Sequence, residues 1–295
     1  MPYEPGVRIL GTAFVSLILL VPAVTVAQPA RGPAKKKTDY VKGPVGKAVA
    51  TCGAKILPLV EGNKWTYGYV ESGVPPRDDL LKLTPSEPSQ IVISVKSIES
   101  KGDETVVTLE EKTTADLSKD PKKHILDERT ITSTITCSRT KFEISPDSFF
   151  FSGEPGGYFG LTFDKFERPK DTTWKLVNGT IGEQPWREDI VAHFTRTAVE
   201  GSGAKLDSGK LELERKFTPA QPEMINTKVG LYTAERLAVT ITGRVTLDHP
   251  QSPDTKAAEL PAGWTNQLWL VPNVGVVQVL NAYAHKYMLT DVQLK

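Results

Sequence analysis

The chain has 295 residues, 39% of them hydrophobic and 24% charged, with a formal net charge of +1, enough for one large all-β domain or two small ones with cores of their own. None of the histidines (His124, His193, His249, His285) has a second histidine or a cysteine at metal-ligand spacing, so neither a zinc site nor any other cofactor is expected.

At the N-terminus a lone Arg8 precedes an apolar run from Ile9 to Val21, and Thr25 and Ala27 stand as the small residues before a signal-peptidase cut. Residues 1–27 read as a signal peptide cleaved after Ala27, with the mature chain starting at Gln28. No cysteine ends the run, so no lipid attachment is expected there. No later run of about 18 apolar residues appears, so no membrane span is expected after processing. The chain reads as periplasmic or extracellular in a bacterium.

Residues 28–50 set Arg31, Lys35, Lys36, Lys37, Lys42 and Lys47 against Asp39, a net of +5, which leaves −4 from Thr51 onward. This stretch, nearly free of large apolar side chains, reads as a basic flexible linker. It is either a solvated tether or a weak foothold on anionic lipid or cell-wall polymer. Nucleic acid is not an expected partner for an exported chain with an acidic body. Cys52 and Cys137 are the smallest even number of cysteines in an oxidising compartment and are expected to pair.

From Cys52 to the end, period-two alternation dominates and helical period does not, which predicts a single antiparallel β domain over residues 51–295. Ile91, Ile93 and Val95 alternate up to a turn at Gly102 and Asp103, and Val106 resumes the pattern as a hairpin. Ile131, Ile135 and Cys137 alternate with threonines. Leu211, Leu213 and Phe217 alternate with Glu212, Glu214 and Lys216. The longest row is Leu237, Val239, Ile241, Val245 and Leu247, where Gly243 is expected to mark a bend or bulge. Val277, Val279 and Tyr283 lead to a turn at His285, and Met288, Val292 and Leu294 form the closing strand. Residues 80–83 and 256–260 read as short helical pieces, and residues 250–263 as the longest irregular loop. A turn feeding Trp65 and Tyr67 is echoed by one feeding Trp174, which suggests two similar halves. The fold class is mainly β, a strongly curved antiparallel sheet or half-barrel with few short helices.

No nucleophile elbow, phosphate loop or serine–lysine motif is present, so an enzyme is not expected. Glu110 with Glu111, and Glu188 with Asp189, are neighbours on strands and so point to opposite faces. Glu212 and Glu214 share a face with Lys216 and read as solvated. His193 reads as a structural strand histidine. The sequon Asn178, Gly179, Thr180 matters only in a host that glycosylates. Aromatic residues carry the functional reading: Trp65, Tyr67 and Tyr69 alternate on one face, Phe150 and Tyr158 flank a glycine-rich loop, and Trp174 and Trp269 extend the set. Ordinary core packing is one account of them. The other is a concave trough that accepts an apolar small molecule or a lipid acyl chain.

Three segments carry a resemblance. They are residues 57–67 through Gly62, Trp65 and Tyr67; residues 229–237 through Gly230 and Tyr232; and residues 268–277 through Trp269, Pro272, Val274 and Gly275. Together they resemble a family of bacterial exported domains of unknown function, TapB-like, similar in style to the periplasmic lipoprotein-carrier fold. The resemblance implies no catalytic residues, and lipid carriage only by analogy of fold. The leading expectation is a non-enzymatic exported protein with an apolar ligand on the concave sheet face. The alternative is a structural or adhesion-type envelope protein with a fully packed sheet and an envelope protein as partner. An envelope hydrolase is a third class, requiring His193 or His249 to converge with the loop aromatics.

Overall fold

The computed structural model describes residues 41–48, 51–75, 87–116, 118, 122, 125–138, 142–155, 161–167, 181, 184–196, 207–249, 257–259 and 264–295. The chain divides into two units, Met1–Asp39 and Tyr40–Lys295, and every described residue lies in the second. The signal peptide, the start of the linker, the 80–83 segment, Tyr158, Trp174 and the sequon lie outside the described residues.

A 3-10 turn, Thr51–Gly53, leads to β1 (Lys64–Val70), β2 (Gln90–Lys101), β3 (Glu104–Asp116), β4 (Leu126–Cys137) and β5 (Phe142–Ile144). A one-turn helix, α1 (Phe149–Ser152), follows. Then come β6 (Leu161–Glu167), β7 (Trp186–Arg196), β8 (Asp207–Thr227), β9 (Gly230–Leu247), β10 (Ala257–Glu259), β11 (Trp264–Val271), β12 (Gly275–Leu280) and β13 (Lys286–Gln293). The strands form one antiparallel sheet in the order β5-β4-β3-β2-β1-β13-β12-β11-β9-β8-β7-β6, with β10 beside β9. Two meanders, β1 to β5 and β6 to β9, flank the C-terminal hairpins, which knit them together. The Trp65 and Trp174 echo lies half outside the described residues.

The sheet is open in its pairing yet strongly curled. The backbone N–H of Phe149 donates to Glu111 on β3 (2.8 Å), while Arg215 on β8 donates to the carbonyl of Phe151 (3.3 Å). β3 and β8 are seven ladder steps apart. On a flat sheet that is roughly 34 Å at ~4.8 Å per strand, against about 6 Å for one turn of helix. One helical turn reaches both strands only because the sheet wraps around it. The core lies inside the curl and includes Trp65, Tyr67, Phe149, Phe151, Phe217 and Tyr287, all below 2% exposed.

Alternation holds along most strands. Leu211, Leu213 and Phe217 face inward, as do Leu237, Val239 and Ile241, and the β2–β3 hairpin turns at Gly102 and Asp103. Several details differ. Gly243 marks no bulge: it pairs with Leu213 in unbroken register, and the irregularity lies between Ala220 and Glu223 on β8. Its role is close approach, since a Cβ there would stand 2.1 Å from the Glu212 carbonyl oxygen. Within residues 256–260, Ala257–Glu259 form a strand on β9, not a helix, because the β9 edge offers ladder partners at Arg244, Val245 and Thr246. On β13 the inward residues are Tyr287 and Leu289, and Met288 is displaced to the other face; the register shift between Thr66 and Tyr67 restores Val292 opposite Trp65. Residues 41–48, expected as flexible linker, are hydrogen-bonded to the body: Gly46 N–H donates to Asn273 O, and the N–H groups of Lys47 and Ala48 donate to Lys295 O, each at 2.9 Å.

Cys52 and Cys137 are disulfide-bonded, with Cα atoms 6.0 Å apart, and tie the 3-10 turn to the end of β4 across 85 residues of sequence. Removing this cross-link releases the entropy of a long loop in the unfolded chain. Urea titration with and without reductant is expected to show a loss of stability of about 4 to 5 kcal/mol.

Candidate functional site

The concave face is occupied by residues 145–155, centred on α1. Ser148 caps the helix, its hydroxyl accepting from Phe150 N–H at 3.3 Å, and Gly153 closes it with φ 80. Three consecutive phenylalanines follow the cap and all are buried. Phe149 lies against Tyr67 with ring centroids 4.5 Å apart, Phe150 meets Trp65 edge-on at 5.6 Å, and Phe151 lies under the Arg215 guanidinium at 3.7 Å. Inside the turn the Phe151 and Ser152 N–H groups donate to Ser148 O and the Gly153 N–H to Phe149 O, which leaves the Phe149 N–H and the Phe151 C=O to find partners in a dry interior. Buried charged side chains supply those two.

Glu111 holds the N-terminal end. It accepts from the Ser133 and Ser148 hydroxyls at 2.6 Å each and from Phe149 N–H at 2.8 Å, and it is 0% exposed. Burial, with a smaller contribution from the Asp147 charge, pushes its pKa up to about 7 against the opposing pull of these hydrogen bonds. Arg215 holds the other end, through the Phe151 carbonyl and an ion pair to Glu188 at 2.8 Å, both side chains being at most 1% exposed. Glu154, just past the helix, accepts from Asn281 Nδ2 (2.8 Å) and Tyr287 Oη (3.3 Å) and lies 2.9 Å from His285 Nδ1. Burial, and next the Glu154 charge, raise the Tyr287 pKa well above its ordinary value.

The expected aromatic set separates across the fold. Trp65 and Tyr67 are 0% exposed, and their polar atoms are spent on β12 and the turn before it: Trp65 Nε1 donates to Val274 O (2.6 Å) and Tyr67 Oη to Val276 O (2.8 Å). Phe150 joins them in the core. Tyr69, the last of the row, is 37% exposed and stands edge-on to His285 and Tyr287. Trp269 belongs to the opposite face. Its neighbours Leu268 and Leu270 line the interior, so alternation sets it on the other side of β11, where it is still buried and Nε1 donates to Glu223 (2.9 Å) beside Arg236. The interior cavity is about 20 Å³, lined by Ile56, Phe150, Phe217, Leu237 and Val276 among others. That is room for one water molecule at most.

Glu111, Glu188 and Arg215 are the residues sequence reading missed. Alternation does place each on an inward row, beside Leu109, Ile190 and Leu213, and that was the signal available. Glu110, by contrast, faces outward and pairs with Lys96 at 3.0 Å, and Glu212 with Lys210 at 3.0 Å. His193 is half-exposed, 3.7 Å from Glu167, and neither His193 nor His249 belongs to the buried cluster. Among the described residues no group of three or more His, Cys, Asp or Glu side chains is placed to hold a metal, and no helix is long and apolar enough to cross a membrane.

No family model and no curated protein matches the sequence. Two solved structures are similar to it. One is a candidate exported protein with a YmcC-like fold from Bacteroides fragilis, at 15% identity over 81% of this chain and 98% of that one, with a TM-score of 0.43. The other is a candidate lipoprotein from Parabacteroides distasonis, at 12% identity over 81% of this chain and 98% of that one, with a TM-score of 0.41. With no family model matching, the TapB-like resemblance is not confirmed and is carried by its three motifs alone.

Glu111 and Arg215 generate separate expectations. Because the folded-state pKa of Glu111 is raised above its ordinary value near 4.5, the folded state binds a proton more tightly than the unfolded one. Stability is then greatest at the acid end and falls as pH rises through about 7, by about 3 kcal/mol in all. Urea midpoints between pH 5 and 8 are expected to fall with that slope in the wild type and to lose it in Glu111→Gln. Arg215→Ala leaves the Glu188 carboxylate buried without its cation and is expected to cost about 3 to 5 kcal/mol, whereas replacing both residues by methionine costs far less. A double-mutant cycle by urea unfolding measures the difference.

Proposed function

We propose that this chain is an exported, non-enzymatic protein of the bacterial envelope that acts through its surface, with the curled sheet as a packed scaffold. The interior supports this reading best. Small-molecule sites occupy roughly 300 to 1,000 Å³, and the cavity inside the curl is about 20 Å³. An acyl chain on the concave face would have to displace residues 145–155 and their three buried phenylalanine rings. Each such ring contributes on the order of 2 to 3 kcal/mol by burial alone, and their displacement would also strip the buried Glu111 and Arg215 side chains of their partners at Phe149 N–H and Phe151 O. Two larger depressions among the described residues, about 490 and 460 Å³, lie elsewhere, around Gly243 and beside residues 41–48. Export is supported by the signal-peptide pattern ending at Ala27 and by the Cys52–Cys137 disulfide, a bond that persists in oxidising compartments.

Native mass spectrometry of the secreted protein is expected to give a mass beginning at Gln28 with no co-purified lipid, and a fluorescent fatty acid is expected not to bind. Trp65→Ala is expected to lower unfolding stability by about 3 to 5 kcal/mol, as for a large ring removed from a packed core. A lipid retained in the native spectrum and lost in Trp65→Ala would return the carrier reading.

A further inference from the structure

The outer edge of β9 near its start is built differently from the rest of the sheet. Residues 41–48 lie beside it as an extended segment: Leu231 N–H donates to Val41 O (2.9 Å) and Gly43 N–H to Leu231 O (3.3 Å), a parallel bridge in an otherwise antiparallel structure. The Tyr232 ring packs so closely on Gly43 that a Cβ there would stand 2.1 Å from Cζ, and its hydroxyl donates to Pro44 O at 3.1 Å. On the same edge β11 joins β9 only from Glu235, opposite Leu270.

Thr233 falls between these two pairings. The alternation that aims the N–H and C=O of Leu231 at the extended segment aims those of Thr233 the same way. Continuing the β11 register would set Pro272 opposite Thr233, and proline has no N–H to donate to it. A depression of about 460 Å³ opens here, walled by Val45, Leu231, Val271 and Pro272, with the exposed Lys42 on its rim. The volume lies within the range of about 300 to 1,000 Å³ for small-ligand sites.

We propose that this gap binds the carboxyl-terminal residues of a partner polypeptide in extended conformation. The peptide main chain completes the β9 edge at Thr233, an apolar side chain enters between Val45 and Val271, and the terminal carboxylate meets the Lys42 ammonium. Each part matches a feature of the site: the same edge accepts an extended strand at Leu231, Val45 and Val271 are apolar walls, and Lys42 at the rim supplies a cation to meet a carboxylate. The proposal names the partner chemistry of the surface-acting reading and rests on it.

Fluorescence anisotropy on the processed full chain tests it, with labelled hexapeptides ending in leucine, valine, phenylalanine or alanine and their carboxamides as probes. At least one free acid is expected to bind saturably, at least tenfold more tightly than its amide. Lys42→Met and Val271→Glu are each expected to weaken that binding at least tenfold, with the urea midpoint of Lys42→Met unchanged. Absence of saturable binding for all four acids, equal affinity for acid and amide, or full affinity in Lys42→Met overturns the site. The surface-acting reading itself falls only to a lipid found inside the curl, a separate measurement.

Discussion

Phe149, Phe150 and Phe151 form one turn of helix inside the curled sheet, and its backbone groups need partners that an apolar lining cannot give. A carboxylate at the N-terminal end and a guanidinium at the C-terminal end provide them, and the signs agree with the direction of the helix dipole. This explains why ionisable side chains sit at the centre of an otherwise apolar core. Among the described residues no cation faces Glu111, which answers to hydroxyls and an amide instead, so burial lifts its pKa. Arg215 is charged whatever its surroundings, and the buried Glu188 carboxylate balances it.

The same turn fixes the shape of the sheet. Strands seven ladder steps apart meet at a six-ångström object only if the sheet wraps around it. The rings then fill the volume that curvature encloses. A trough of this breadth left empty would be the natural seat for an acyl chain; occupied by the chain's own phenylalanines, it becomes a core. The outer edge of β9 is left open to pairing, and residues 41–48 show how an extended segment adds to it.

Much of the fold was legible as alternation. The rows ending in Val95, Leu213 and Ile241 faced inward as their spacing required, and the turn at Gly102 closed a hairpin. Where reading failed, the cause was a long-range partner. Arg215 sits in the row of Leu213 and Phe217, but its charge argued for solvent; only Glu188 on β7 and Phe151 in α1 make its burial tolerable. Trp269 looked like a member of one aromatic surface with Trp65, yet the two occupy opposite faces because each obeys the parity of its own strand.

The sequence by itself determined the class of structure and the local grammar: period-two strands, the turns between them and a cysteine pair suited to an oxidising compartment. Those are properties of neighbouring residues, governed by backbone sterics and the side on which each side chain emerges. The tertiary structure decided whether the concave face would be hollow, since that depends on which segment the curled sheet closes upon. Locally the phenylalanines read as aromatics flanking a glycine-rich loop, and only contact with strands from both halves of the sheet turned the three rings of α1 into the core.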